Sequence, residues 1–131
     1  MSFMQLSQKS EFNAEASKLL IDKSLYAPSV HCAYYAAFQL MKVAMRKFLG
    51  IEYNTIDVNV ANSKSSEHKY IQREILNVIR NNDRESYRKI NNLFNDLFQF
   101  RVEADYKNIE VKIDQASKAN SYSSDNFVLK G

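Results

Sequence analysis

Breakers are scarce in this chain, which has 2 glycines and 1 proline in 131 residues. Sheets joined by tight turns need residues that accept positive φ or preset a turn, so this scarcity speaks against β-rich folds and favours helices. Cysteine occurs once, at Cys32, which excludes an internal disulfide and a thiolate cluster around structural zinc. In a run of helical core positions, Cys32 is expected to be a reduced, buried thiol. No window approaches about 18 uninterrupted apolar residues, so no membrane span and no membrane partner are expected. Residues 1–12 lack a basic region followed by an apolar run, so no secretory leader is expected and the location is read as cytoplasmic. Charge of one sign is also lacking, with 18 basic against 15 acidic side chains and a net charge of +3. That balance permits an anionic partner without announcing one, because nucleic-acid binding needs clustered charge. Gly-rich phosphate loops, paired-carboxylate metal sites and Ser/His/Asp arrangements are missing, so neither metal nor cofactor is expected.

What is present is the makeup of a globular protein, 45% hydrophobic and 25% charged, read as one domain over residues 1–131. Its organising stretch runs from Pro28, suited to a first helical position, to Gly50, suited to a left-handed cap. Val30, Tyr34, Ala37, Met41, Ala44 and Phe48 form one apolar row, with Ala33, Ala36, Leu40 and Val43 beside it. His31, Tyr35, Gln39, Lys42 and Arg46 form a narrow polar stripe. A helix apolar over most of its circumference must be covered on several sides, which makes this the central helix.

A first helix is read up to about Ser24, with Phe12, Ala16, Leu19 and Leu20 as its apolar face. Its link to Pro28 is short, so the two helices are expected to be antiparallel neighbours. Residues 51–66, rich in Asn, Ser and β-branched side chains, are read as a long loop. Ser65 or Ser66 caps a helix from Glu67 to Arg80, whose row is Ile71, Ile75, Val78 and Ile79. Asp83 caps the next, from Arg84 to Ala104, with Tyr87, Ile90, Phe94 and Leu97 in its core row and Leu93 and Phe98 beside it. A last helix is read from Asp114 to Val128, with Ala116, Ala119, Ser123 and Phe127 on one side. The result is an all-α, up-and-down bundle of four to five helices.

The core row of the penultimate helix, extended by one step of four, reaches Arg101. A buried unpaired guanidinium costs several kcal/mol, so Arg101 needs an anion. One reading pairs it with Asp105, four residues on, a contact of only about 0.3–0.5 kcal/mol when exposed. The other places it in a cleft against a phosphate, which its planar donor fork suits.

The run RVEADY from Arg101 to Tyr106, with YYAAF at residues 34–38 of the long second helix, resembles the HEPN family. The LL ending of the first helix, Ser66-Glu67-His68 after a polar loop, and the helix after ADY follow the same layout. The resemblance spans roughly residues 10–130, and the order of its short motifs makes it fairly specific. It implies a helical bundle, commonly a homodimer. Many members are metal-independent ribonucleases of toxin–antitoxin or defence systems, some paired with a nucleotidyltransferase-type protein, and others bind nucleotides or RNA without cutting. The family's nuclease motif is Arg, four to six residues, then His. Arg101 matches the Arg, but Tyr106 stands where the His belongs and Val102 replaces the polar residue that commonly follows the Arg.

A phenol with a pKa of about 10 is a poor general base at neutral pH, whereas an imidazole titrates near it. Tyr106 can still donate a hydrogen bond to a phosphate and Asp105 can accept a proton. The expected site is thus Arg101, Asp105 and Tyr106, with Tyr35, Lys42, Arg46, His31 and His68 as further RNA or nucleotide contacts. Tyr34 is read as a packing residue. The leading expectation is a module that binds RNA or a nucleotide through Arg-x4-Tyr. The alternatives are a metal-independent endoribonuclease and a structural domain without catalysis.

Overall fold

A computed structural model describes residues 3–124, in six helices and no strand among those residues. They are α1 (Phe3–Asp22), α2 (Tyr26–Leu49), α3 (Tyr53–Ser63), α4 (Glu67–Asn82), α5 (Arg84–Tyr106) and α6 (Ile113–Ser124). The count of four to five helices is therefore corrected to six, the addition being α3. The side chains of Phe48 and Ser123, together with Phe127 and a helix end at Val128, lie outside the described residues. No described helix is long and apolar enough to cross a membrane.

As its nearly all-round apolar surface requires, α2 contacts α1, α4, α5 and α6. Val30, Ala33, Tyr34, Ala36, Ala37, Met41, Val43, Ala44 and Met45 are all buried. The helix starts two residues earlier than read, at Tyr26. Pro28 still falls in the first turn, where its missing N–H has no helical acceptor to lose. It ends at Gly50, whose φ of 67° and ψ of 20° place it in the left-handed region that glycine enters at least cost.

The face that α1 buries differs from the expected one. Phe12 is 63% exposed and Leu19 57% exposed, whereas Ser10 and Ser17 are buried against α2. Ser10 Oγ donates to the Ala36 carbonyl at 2.6 Å, and Ser29 Oγ to the Ser17 carbonyl at 2.8 Å. The Ser17 and Ser29 hydroxyls also meet at 3.0 Å, and Asn13 Nδ2 donates to Gln39 Oε1 at 2.9 Å. Small side chains with satisfied hydroxyls let the two antiparallel backbones approach, which apolar spacing alone does not detect.

α3 occupies the stretch read as a loop. Asn, Thr and Val lower its intrinsic helix propensity, yet Tyr53, Ile56 and Val60 recur at helical spacing and Ile56 is fully buried. Burial overrides propensity here. By contrast, the two caps fall where read. Ser66 Oγ accepts from the Lys69 N–H, and the Asp83 carboxylate accepts from the Glu85 and Ser86 N–H groups. Asp83 also closes α4 by donating its own N–H to the Ile79 carbonyl, so one residue separates α4 from α5. α5 buries Ile90, Leu93, Phe94 and Leu97, and near its end Arg101 and Asp105 hydrogen-bond side chains of α2. Ala116 and Ala119 of α6 are fully buried and bring that helix close to α2.

Candidate functional site

Arg101 sits one turn beyond Leu97, where the buried row of α5 reaches the edge of the bundle. Its side chain is 13% exposed. Nε donates to Asp105 Oδ2 at 3.1 Å, the i,i+4 contact read from the sequence. One terminal nitrogen, Nη2, donates to the Tyr106 hydroxyl at 3.1 Å and to the Tyr35 hydroxyl at 3.2 Å. The guanidinium carbon lies 5.1, 5.4 and 5.6 Å from the ring centres of Tyr106, Tyr34 and Tyr35. Each ring face attracts a cation, more strongly where water is excluded. Burial works against the charge, but Tyr35, Tyr106, Asp105 and Tyr34 outweigh it and hold the Arg101 pKa above its ordinary value. The other terminal nitrogen, Nη1, has no hydrogen-bond acceptor among the described residues, so part of the donor fork remains open.

α2 contributes the other half of the site. It runs antiparallel to α5, which sets Tyr35 opposite Arg101 and His31 opposite Asp105. His31 Nδ1 lies 2.8 Å from Asp105 Oδ2, the same oxygen that Arg101 holds. The His31 side chain is 47% exposed and that of Asp105 only 19%. A carboxylate on one ring nitrogen fixes the orientation of an imidazole and leaves the other nitrogen for exchange. Cys32, expected to be buried, is half-buried, because the helix edge that presents His31 also exposes it. Burial pushes its thiol pKa up, and the charge of Asp105 adds to that.

His68 approaches from the first turn of α4, and its Nδ1 hydrogen-bonds the Tyr34 hydroxyl. The ring stacks on Phe38, with centroids 4.2 Å apart and planes 17° apart. Burial is the main cause that lowers its pKa below the ordinary 6.5, and the positive charge of Arg101 adds to it. The unfolded chain therefore takes up this proton at a higher pH than the folded one does. The neutral ring's stability contribution is full above about pH 6.5 and lost as pH falls toward the lowered value. The melting temperature is expected to drop between about pH 7.5 and pH 5.5, and to drop less in His68→Gln. Parallel thermal melts showing equal drops would refute this.

The structure thus brings together Arg101, Asp105, Tyr106, Tyr35 and His31, with His68 joined through Tyr34. The sequence places Tyr34 as a packing residue, and its ring also supports the guanidinium. The signal available was its place beside Tyr35 in the YYAAF run. Lys42 and Arg46 do not join the site. Lys42 Nζ is 2.5 Å from Glu67 and 3.8 Å from Asp57, and Arg46 is 3.1 Å from Glu52. They share the polar stripe with His31, but Lys42 is 11 residues on, or about 16 Å along the axis. There they bind acidic groups of the α2–α3 link, α3 and α4. Among the described residues, no group of three His, Cys, Asp or Glu side chains is placed to hold a metal ion.

No protein-family model matches this chain, and no curated protein or solved structure matches it either. The geometry and the motifs alone carry the functional reading.

Proposed function

We propose that this chain is a HEPN-like helical module that binds RNA or a nucleotide at the corner formed by Arg101, Asp105 and Tyr106 of α5 with Tyr35 and His31 of α2. The observation that carries this reading is the state of the Arg101 guanidinium. It is braced by three tyrosine rings, yet one terminal nitrogen has no acceptor among the described residues. A purely structural pair with Asp105 would need neither the rings nor the open donors. Tyr106 is 69% exposed at the last residue of α5, so an arriving phosphate can take its place on Nη2 without disturbing the core. Charge-assisted hydrogen bonds from a preorganised arginine contribute about 1.5–3 kcal/mol each to such binding.

A second reading, metal-independent ribonuclease, is favoured by one specific observation. The imidazole missing from the end of α5 is supplied by His31, which shares an Asp105 oxygen with Arg101. In that reading Arg101 holds the phosphate and His31 moves the proton.

Both readings are tested by incubating labelled single-stranded RNA with the pure protein and EDTA, beside Arg101→Ala. For binding without cleavage, RNA stays intact and affinity falls at least about 10-fold in the variant. For the nuclease, the wild type cuts and Arg101→Ala does not. Intact RNA bound equally by both proteins would make Arg101 a structural residue and end both readings.

A further inference from the structure

The bend between α4 and α5 lies at the far end of α5 from Arg101 and has no part in the site above. Residues 80–89, RNNDRESYRK, hold four basic and two acidic side chains, so this corner carries +2 of a net charge of +3. Arg80, Arg84, Arg88 and Tyr87 line a cavity of about 190 Å³. All three arginines are exposed.

Their lack of a carboxylate sets them apart from the chain's other arginines. Lys42, Arg46, Arg73 and Arg101 each have a carboxylate within ion-pair distance, whereas Arg80, Arg84 and Arg88 have none among the described residues. Asp83 is committed to capping α5 through the Glu85 and Ser86 N–H groups and the Ser86 hydroxyl, and Glu85, next to Arg84 and three residues before Arg88, forms an ion pair with none of the three arginines. Arg84 and Arg88 are neighbours on one helical face, and like charges at that spacing destabilise a helix by a few tenths of a kcal/mol. Three converging cations without acid relief are therefore an unfavourable arrangement until an anion is bound.

The chemistry of the corner selects the anion. Arg80 Nη2 donates to Asn77 Oδ1 at 3.3 Å, and its guanidinium lies 5.7 Å from the Tyr87 ring centre. It thus lies beside the ring, with one donor taken by Asn77. A guanidinium next to a tyrosine ring, beside two arginines with no acidic partner among the described residues, suits bases and backbone phosphates of an unpaired strand. An enclosed cage for a small phosphate compound would bury its arginines, and these are open to solvent. We infer that the α4–α5 corner, through Arg80, Arg84 and Arg88, is a second contact for the phosphate backbone of single-stranded RNA, independent of the Arg101 corner. Arg88 and Arg84 lie about 20 and about 25 Å from Arg101 along α5 and on different faces of it.

The test is fluorescence anisotropy of a labelled 12-nucleotide oligouridine at several NaCl concentrations. The proteins are the wild type, Arg84→Gln/Arg88→Gln, Arg101→Ala and the triple variant. Both corner positions are exposed, so the double variant should melt with the wild type, which circular dichroism checks. The double variant is expected to bind about 10-fold more weakly at low salt, with a log K against log [salt] slope shallower by about 1 to 1.4. The same further loss is expected when the two changes are added to Arg101→Ala. Unchanged affinity and slope in the double variant would overturn the inference while leaving the Arg101 site standing. Loss in the double variant with none in Arg101→Ala would do the reverse. Displacement of the oligonucleotide by UMP or inorganic phosphate at equal phosphate concentration would show a small-phosphate site and overturn the strand assignment. So would arginine-dependent binding to phosphatidylserine vesicles without RNA binding.

Discussion

Leu97→Ala is expected to lower the unfolding free energy by about 3 kcal/mol. Leu97 is fully buried, and it belongs to the core cluster that α5 shares with α2, α4 and α6. Truncation removes the transfer free energy of three heavy atoms and leaves a void that close-packed helices collapse into only partly. The same change reaches the candidate site, because Leu97 is one turn before Arg101 on the same row and fixes the pitch of α5 against Tyr35. RNA affinity should therefore weaken along with stability, although Leu97 touches no ligand. Urea titration with a shared slope measures the first effect. A loss under about 1 kcal/mol would mean that this part of α5 is not packed as described.

His31→Ala carries the other large effect, and it separates the two functional readings. His31 Nδ1 is held by Asp105, and Nε2 has no hydrogen-bond partner among the described residues. Arg101 keeps Tyr35 and Tyr106 without His31, so the phosphate contact survives the substitution. His31 borders the corner without holding the phosphate, so RNA affinity should change less than about threefold, while any metal-independent cleavage should fall by about 10²–10⁴, the usual contribution of a positioned acid or base. Cleavage by His31→Ala at the wild-type rate would remove His31 from the mechanism. A large loss of affinity with it would make the residue a binding contact instead.

Different parts of this structure were legible in the sequence to different degrees, and the reasons are physical. Ser66 and Asp83 were readable as caps because a cap is satisfied within three residues of its own position. Arg101 with Asp105 was readable for the same reason, a contact across one helical turn. The convergence of His31 and Tyr35 on that pair was not, since it depends on the register of α2 against α5, 66 to 74 residues away. The sequence groups Lys42 and Arg46 with the site because a stripe on a helix has direction but no end. Position along the axis, which sequence pattern does not supply, assigns them to Glu67 and Glu52 instead. α1 misled for a different reason. Its buried face is held by serine and asparagine hydrogen bonds, so the apolar Phe12 and Leu19 mark the outside. α3 is illegible in the sequence because burial of Ile56 outweighs a composition that disfavours helix.

The single-residue joint at Asp83 has a consequence for how the chain folds. Bringing two helices together across one intervening residue involves almost no loop to close, so the entropic cost of their first contacts is minimal. α4 and α5 meet along a hairpin whose contacts, such as Gln72 with Asn95, join residues 23 apart. α1 must wait for α6 across more than a hundred residues, as in the bond from Asn120 to the Ala14 carbonyl. Local pairings of this kind form early in folding. Kinetic φ-values near 0.5 or above at Ile75 and Ile90, with values near zero at Ala119, are the expected pattern. The reverse order would place the folding nucleus elsewhere. The arginine-lined corner would then be assembled before the Arg101 site, which waits for α2 to dock against the finished hairpin.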